Sequence, residues 1–254
     1  MATECFLKTP SWVGPSPTFK MESSFSCAAH PMTTLKIDFV SDVSCPWCAI
    51  GLGALEAALA RVAPDITAEL RFQPFELNPA MAPEGQDITE HIQQKYGSTL
   101  EQQLQSREAI RLRGESVGFT FGAGQRRRIY NTFDAHRLLH WAELESVERQ
   151  RALKKALLKA YFTDGENPSD DEVLVRVATD VGLDATRARE ILAGDDYAVE
   201  VREREKLYTD AGIHAVPAVI INNQHLISGG QPVEVFERAL RQIAGTTPAS
   251  LSAA

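Results

Sequence analysis

Leu35-Lys36-Ile37-Asp38-Phe39-Val40, followed closely by Cys45-Pro46-Trp47-Cys48, is the stretch on which the fold turns. Leu35, Ile37 and Phe39 alternate with Lys36 and Asp38, the period-two pattern of a strand with one face buried. From Ala49 the spacing changes: Leu52, Leu55, Leu59 and Val62 recur three or four apart, as on a helix that ends near Pro64-Asp65. Two cysteines separated by two residues therefore sit at a strand-to-helix junction, the pattern of a redox pair. Unpaired N–H groups and the partial positive charge of a helix N-terminus stabilise a thiolate there. Cys45, at the outer end, is the expected nucleophile. Cys48, one turn in, is expected to resolve the mixed disulfide.

The two residues between the cysteines adjust this chemistry. Pro46 removes one N–H donor and fixes φ near about −65°, which suits a first helical position. Trp47 is large and apolar, and belongs either to a substrate-facing rim or to packing against the rest of the chain. Working outward, residues 66–75 alternate as a second strand, which completes a βαβ unit. From about 87 to 193 the pattern is helical throughout, in segments near 87–94, 98–113, 130–145, 147–161, 170–180 and 184–193 with glycine-rich or polar punctuation. A further helix is expected over 195–211, closing at Gly212. Ala218-Val219-Ile220-Ile221 and His225-Leu226-Ile227-Ser228 form a hairpin about Asn222-Asn223, with His225 on the solvated face. A last amphipathic helix covers 232–243.

The order is β-α-β, a helical insert, then α-β-β-α. That is an α/β thioredoxin fold with a large all-helical insertion. The expected organisation is a discontinuous thioredoxin-like domain over 32–86 and 194–245, an insertion subdomain over 87–193, and disordered tails over 1–31 and 246–254. In this fold a proline before the third strand faces the disulfide, usually through a cis peptide bond. Val216-Pro217 occupies that place, where the Val216 main chain can pair with an extended substrate segment; the alternative is a simple strand-start proline.

Composition narrows the function. A formal net charge of −8 and a single short basic run, Arg126-Arg127-Arg128, argue against a nucleic-acid partner. No stretch approaches the roughly 18 apolar residues of a membrane span. Only four cysteines occur, and Cys5 and Cys27 lie in the odd N-terminal segment, so this is no disulfide-stapled secreted domain. Residues 1–31 lack the continuous apolar core of a secretory signal. They read as an extension, or as the product of an upstream start with Met32 as the native one. Cytoplasmic operation is expected. One Cys-x-x-Cys without a histidine pair at ligand spacing does not make a zinc site, and no metal is expected.

Several motifs carry a resemblance. These are Asp42-Val43-Ser44-Cys45-Pro46-Trp47-Cys48, Pro74-Phe75-Glu76-Leu77-Asn78-Pro79, Asn131-Thr132-Phe133-Asp134-Ala135-His136-Arg137, Ala160-Tyr161-Phe162-Thr163-Asp164-Gly165, Val216-Pro217-Ala218 and Ile227-Ser228-Gly229-Gly230-Gln231. With their flanking elements they span about 35–245, and the chain resembles the FrnE-type branch of the DsbA-like oxidoreductases, also labelled polyketide-biosynthesis dithiol-disulfide isomerases. The resemblance implies disulfide oxidoreductase or isomerase activity through Cys45 and Cys48 in the cytoplasm. It does not extend to the N-terminal segment or to the extra C-terminal cysteine pair of some relatives.

Substrates would be disulfide- or thiol-containing proteins or small molecules, contacted by Pro46, Trp47, Val216 and Pro217. No bound cofactor is expected beyond the cysteine pair itself, with glutathione admitted as a co-substrate, and a homodimer is compatible with the reading. His136, among Phe133, Leu138 and Leu139, either lines the cleft above Cys45 or is a satisfied core histidine. Asn78 is a turn former or a substrate contact. Asp38 is either an exposed aspartate or a buried acid that exchanges a proton with Cys48. Glutathione-dependent isomerases and kappa-class glutathione transferases share the split architecture and form the alternative. They generally carry serine where this chain has Cys45.

Overall fold

β1 (Thr33–Ser41) is the central strand, and its burial alternates as its sequence does: Leu35, Ile37 and Phe39 are sealed while Lys36 is exposed. The computed structural model describes residues 33–246 apart from 83 and 125. The expected extension over 1–31, with Cys5 and Cys27, and the tail beyond 246 lie outside the described residues. β2 (Ile66–Pro74) runs parallel to β1, with Phe72 opposite Phe39. β5 (Ala218–Ile221) pairs antiparallel on the other side, and β6 (His225–Ser228) completes a sheet in the order β2-β1-β5-β6. Parallel neighbours need a crossover. α1 (Pro46–Val62) supplies it. Asn222 and Asn223 join β5 to β6 with φ of 52° and 56°, the left-handed pair that a tight hairpin requires and asparagine tolerates.

Helices cover both faces of this sheet. On one side α1 and α9 (Val233–Thr246) bury Leu52, Leu55, Phe236 and Leu240 against Leu35, Ile37 and Phe39. Each such side chain contributes roughly 1.5–3 kcal/mol by leaving water. Phe39 and Phe72 meet edge to face at 5.8 Å, an arrangement that adds about 1 kcal/mol beyond area. On the other side Tyr208, from α8 (Ala198–Asp210), packs near Val40 and Ala218. The chain adopts the expected α/β thioredoxin-like fold with a helical insertion.

The insert contains α2 (Ile88–Tyr96), α3 (Leu100–Ser116), α4 (Phe133–Glu145), α5 (Val147–Lys159), a π-helical turn over Ala160–Asp164, α6 (Asp171–Asp180) and α7 (Ala185–Ala193). Most start on an oxygen-bearing cap: Asp87, Thr99, Ser146, Asp170 and Asp184 each accept a main-chain N–H. Two expectations need correction. The insert is not helical throughout, because β3 (Gln86–Asp87) pairs with β4 (Arg128–Ile129). A two-residue ladder is too short to leave a periodic signal. Nor does α3 end at 113, as the helical segment over 98–113 had it; it runs through Gly114 to Ser116. A Cβ on Gly114 would sit 2.5 Å from the Phe121 ring, so Gly114 serves close packing rather than termination.

Gln150 of α5 joins the insert to the sheet. Its side-chain amide accepts from Phe72 N at 2.9 Å and donates to Phe72 O at 2.8 Å, pairing with the outer edge of β2 as a strand would. Lys154 lies one turn further along the same helix face and is also fully buried.

Candidate active site

Beyond Ser41 the chain turns through residues 42–44 and delivers Cys45 to the N-cap of α1, with Pro46 in the first turn. Proline costs nothing there, since that N–H would have no helical partner. The N–H of Cys48 donates to Cys45 O at 3.0 Å. Cys45 is 4% exposed, and its Sγ donates to the Val216 carbonyl at 3.6 Å. The Val216–Pro217 peptide is cis, and Pro217 is buried. Both cysteines are free thiols.

The two sulfurs have opposite leanings. Cys45 is lowered from the ordinary thiol value, chiefly because the Cys48 side chain hydrogen-bonds it; burial and the Asp42 charge oppose, and the N–H groups of Cys48 and Trp47 assist. Cys48 is pushed well up, first by burial and then by Cys45. The pair is thus arranged for Cys45 to hold the charge while Cys48 keeps its proton.

Asp42 was quoted in the sequence motif without a role, and the structure gives it one. Its Oδ1 accepts from Ser44 N at 3.0 Å and its Oδ2 from Leu77 N at 2.7 Å, tying the loop before Cys45 to the loop after β2. Burial raises its pKa, but His136, Leu77 and Ser44 outweigh that and hold it at about 2. His136 Nε2 stands 3.8 Å from Asp42 Oδ1. That distance makes an electrostatic contact rather than a hydrogen bond.

Lys154 was also missed. It is completely buried, and its Nζ has no hydrogen-bond partner. Burial lowers its pKa, while Cys48, Asp42 and Cys45 raise it. A lysine in an amphipathic helix normally marks the solvent face, so composition concealed it; its spacing of four from the buried Gln150 was the available signal. Tyr161 is the third addition. The π-helical turn directs it into the core that also holds Cys48, and its hydroxyl donates to Arg128 O at 3.0 Å.

A cleft of about 710 Å³ opens over Cys45. Pro46, Trp47, Asn78 and Val216 line it together with residues of α2 and α3. Trp47 is 40% exposed and forms part of its rim. Asn78 Oδ1 accepts from Lys95 Nζ at 2.8 Å, which links the loop after β2 to the insert. Gly230 backs this arrangement: a Cβ there would lie 2.9 Å from Trp47 O, and one on Gly51 would meet Pro217 at 3.1 Å. The Gly229-Gly230-Gln231 turn therefore fixes how closely α1 docks.

The structure selects the core alternative for His136 and sets aside both alternatives for Asp38. His136 does not line the cleft. It is 2% exposed behind Asp42, because α4 turns it toward the sheet, so it cannot touch substrate. Asp38 neither hangs at an edge nor reaches Cys48. It lies on the central strand, on the face away from α1, with Gln73 Nε2 donating to it at 2.6 Å.

Residues 36–241 match the model of the DSBA-like thioredoxin domain. The probable DsbA oxidoreductase from Streptomyces coelicolor superposes with a TM-score of 0.78 at 34% identity, covering 87% of this chain and 94% of that one. The uncharacterized protein YwbO of Bacillus subtilis is 26% identical over 208 residues, 82% of this chain and 96% of its own length. The cytosolic disulfide reductase DsbM from Pseudomonas aeruginosa, solved with GSH, shares the fold at a TM-score of 0.56 and 16% identity, with 82% of this chain and 98% of that one covered. On the extent of the family match and the identity to the Streptomyces structure, the chain belongs to the DSBA-like thioredoxin domain family.

Proposed function

We propose that the protein is a thiol–disulfide oxidoreductase or isomerase of the FrnE type, acting through Cys45 and Cys48. The observation that carries this reading is the divergence of the two thiols: a lowered Cys45 at a helix N-cap beside an open cleft, and a raised, sealed Cys48 beneath it. Exchange needs one thiolate to attack and one thiol held in reserve. The Cys45 thiolate attacks a substrate disulfide, one substrate sulfur leaves as a thiolate, and a mixed disulfide with Cys45 forms. Cys48 then gives up its proton and attacks Cys45 Sγ, which releases the second substrate thiol and leaves the Cys45–Cys48 disulfide. The same steps run in reverse when the protein oxidises a dithiol.

Substrates are disulfide- or thiol-bearing proteins or small molecules positioned by Trp47, Val216 and Pro217. Asn78, joined to Lys95 at the cleft wall, helps shape their entry. The cytoplasm is the proposed place of action, on the cysteine usage set out above. No helix among the described residues is long and apolar enough to cross a membrane.

The test is reduction and reoxidation of a model disulfide by the wild type and Cys45→Ser, with the potential of the pair measured in the same preparation. Exchange is expected to vanish in Cys45→Ser. A variant that keeps wild-type exchange would sink the proposal.

A further inference from the structure

The cleft above Cys45 differs in charge from the chain that builds it. The sequence carries a net −8, yet Lys95, Arg107 and Arg126 all line this one cavity. Elsewhere, arginines such as Arg61, Arg71, Arg111 and Arg202 are bound to carboxylates. Among the described residues none of the three cleft cations has an acidic partner. Lys95 Nζ donates to Leu77 O and Asn78 Oδ1, both at 2.8 Å. Arg107 Nη2 donates to Thr89 Oγ1 at 3.3 Å. The Arg126 guanidinium lies over the rings of Tyr161 and Phe162, at 5.2 and 4.9 Å from their centroids. The π-helical turn thus plants Arg126 in the cleft wall by ring contacts that leave its positive charge uncancelled. The one acid lining the cleft, Glu76, is itself buried and bound to Arg202.

We propose that this cleft takes low-molecular-weight disulfides that carry carboxylates, with Arg107, Arg126 and Lys95 holding the carboxylates while the S–S bond lies against Cys45 and the Val216 main chain. The inference rests on the exchange activity proposed above and names its substrate class. The volume of about 710 Å³ suits a molecule of this size rather than a folded partner. Charge-assisted contacts in a partly desolvated site favour such a ligand over a neutral one. The chemistry is the exchange already described. Two electrons pass from the Cys45–Cys48 dithiol to the bound disulfide, the S–S bond of the substrate breaks as that of the protein forms, and two substrate thiols leave.

The test oxidises the pre-reduced full chain in single turnover with oxidised glutathione, which is anionic, and with hydroxyethyl disulfide, which is neutral. The wild type is expected to react faster with oxidised glutathione, and only that rate should fall as salt is raised. In Arg107→Gln and Arg126→Gln the ratio of the two rates is expected to drop about tenfold each, from loss of a charge-assisted contact, while Arg126→Lys keeps most of it. Arg107 is exposed, so its variant guards against a folding defect at Arg126. Equal rates with both disulfides in the wild type, or equal losses in the variants, would overturn the inference and leave the exchange reading intact. Reaction with neither disulfide would remove the exchange reading itself.

Discussion

The two flanks of the redox pair contrast. On the Cys45 side there is a helix N-cap, a peptide carbonyl and an open cleft carrying cations that have no acidic partner among the described residues. On the Cys48 side there is a sealed pocket shared with Asp42 and Lys154, which leaves no room for substrate. Only two residues separate the cysteines, yet one leans toward thiolate and the other toward thiol. The contrast teaches that solvation and hydrogen bonding, rather than residue type, divide the labour of a cysteine pair.

The strongest way to break this comparison is Cys48→Ala. Attack by Cys45 should survive while resolution stops, so a mixed disulfide with substrate accumulates and turnover falls by at least about a hundredfold. Mass spectrometry of the quenched reaction reads the adduct. Turnover with no adduct would mean that Cys48 is not the resolving thiol.

Asp42 tests the sealed flank through stability. Its pKa of about 2 lies below the ordinary 3.8, so its contribution is fully present above pH 3.8 and is lost as pH falls toward 2. That gap corresponds to roughly 2 kcal/mol for a buried group. Asp42→Asn should be less stable than the wild type by about that amount near neutral pH, and the difference should shrink at about pH 2.5, as urea unfolding would show. A difference independent of pH would remove the ionised carboxylate from the account.

The smallest effect is expected at Lys154. Its positive charge draws the Cys48 pKa down against burial. Lys154→Met should slow resolution by about tenfold at neutral pH and move its pH profile upward, while thermal stability holds or rises because a buried amine without a partner is removed. A stopped-flow profile that matches the wild type would show that Lys154 does not act on the pair.

Much of this was legible in the residues themselves. The alternation of Leu35, Ile37 and Phe39, the Asn222-Asn223 turn and the helix spacing after Cys48 placed the strands, the hairpin and α1, because each is a local pattern. Cys45, Trp47 and Val216 meet at one cleft with Cys48 buried beneath Cys45, as the order of elements required. What stayed hidden depends on distance along the chain. Lys154 lies more than a hundred residues from Cys48, and only the docking of α5 on β2 buries it. The strand pair of Gln86 and Asp87 with Arg128 and Ile129 was similarly out of reach, since two polar-start residues carry no period. His136 stayed undecided between cleft and core because helix spacing cannot say which of two buried neighbours a polar residue will face.

The Gln150 clamp on Phe72 bears on what the outer edge of the sheet can meet. β2 is a border strand of the sheet, and such a border, left bare, is a template on which another chain can add. At Phe72 a single amide side chain occupies the hydrogen-bonding position that an added strand would use. The helical insert thus covers part of that border, and a version of the chain shortened by removing it would leave the Phe72 main chain bare.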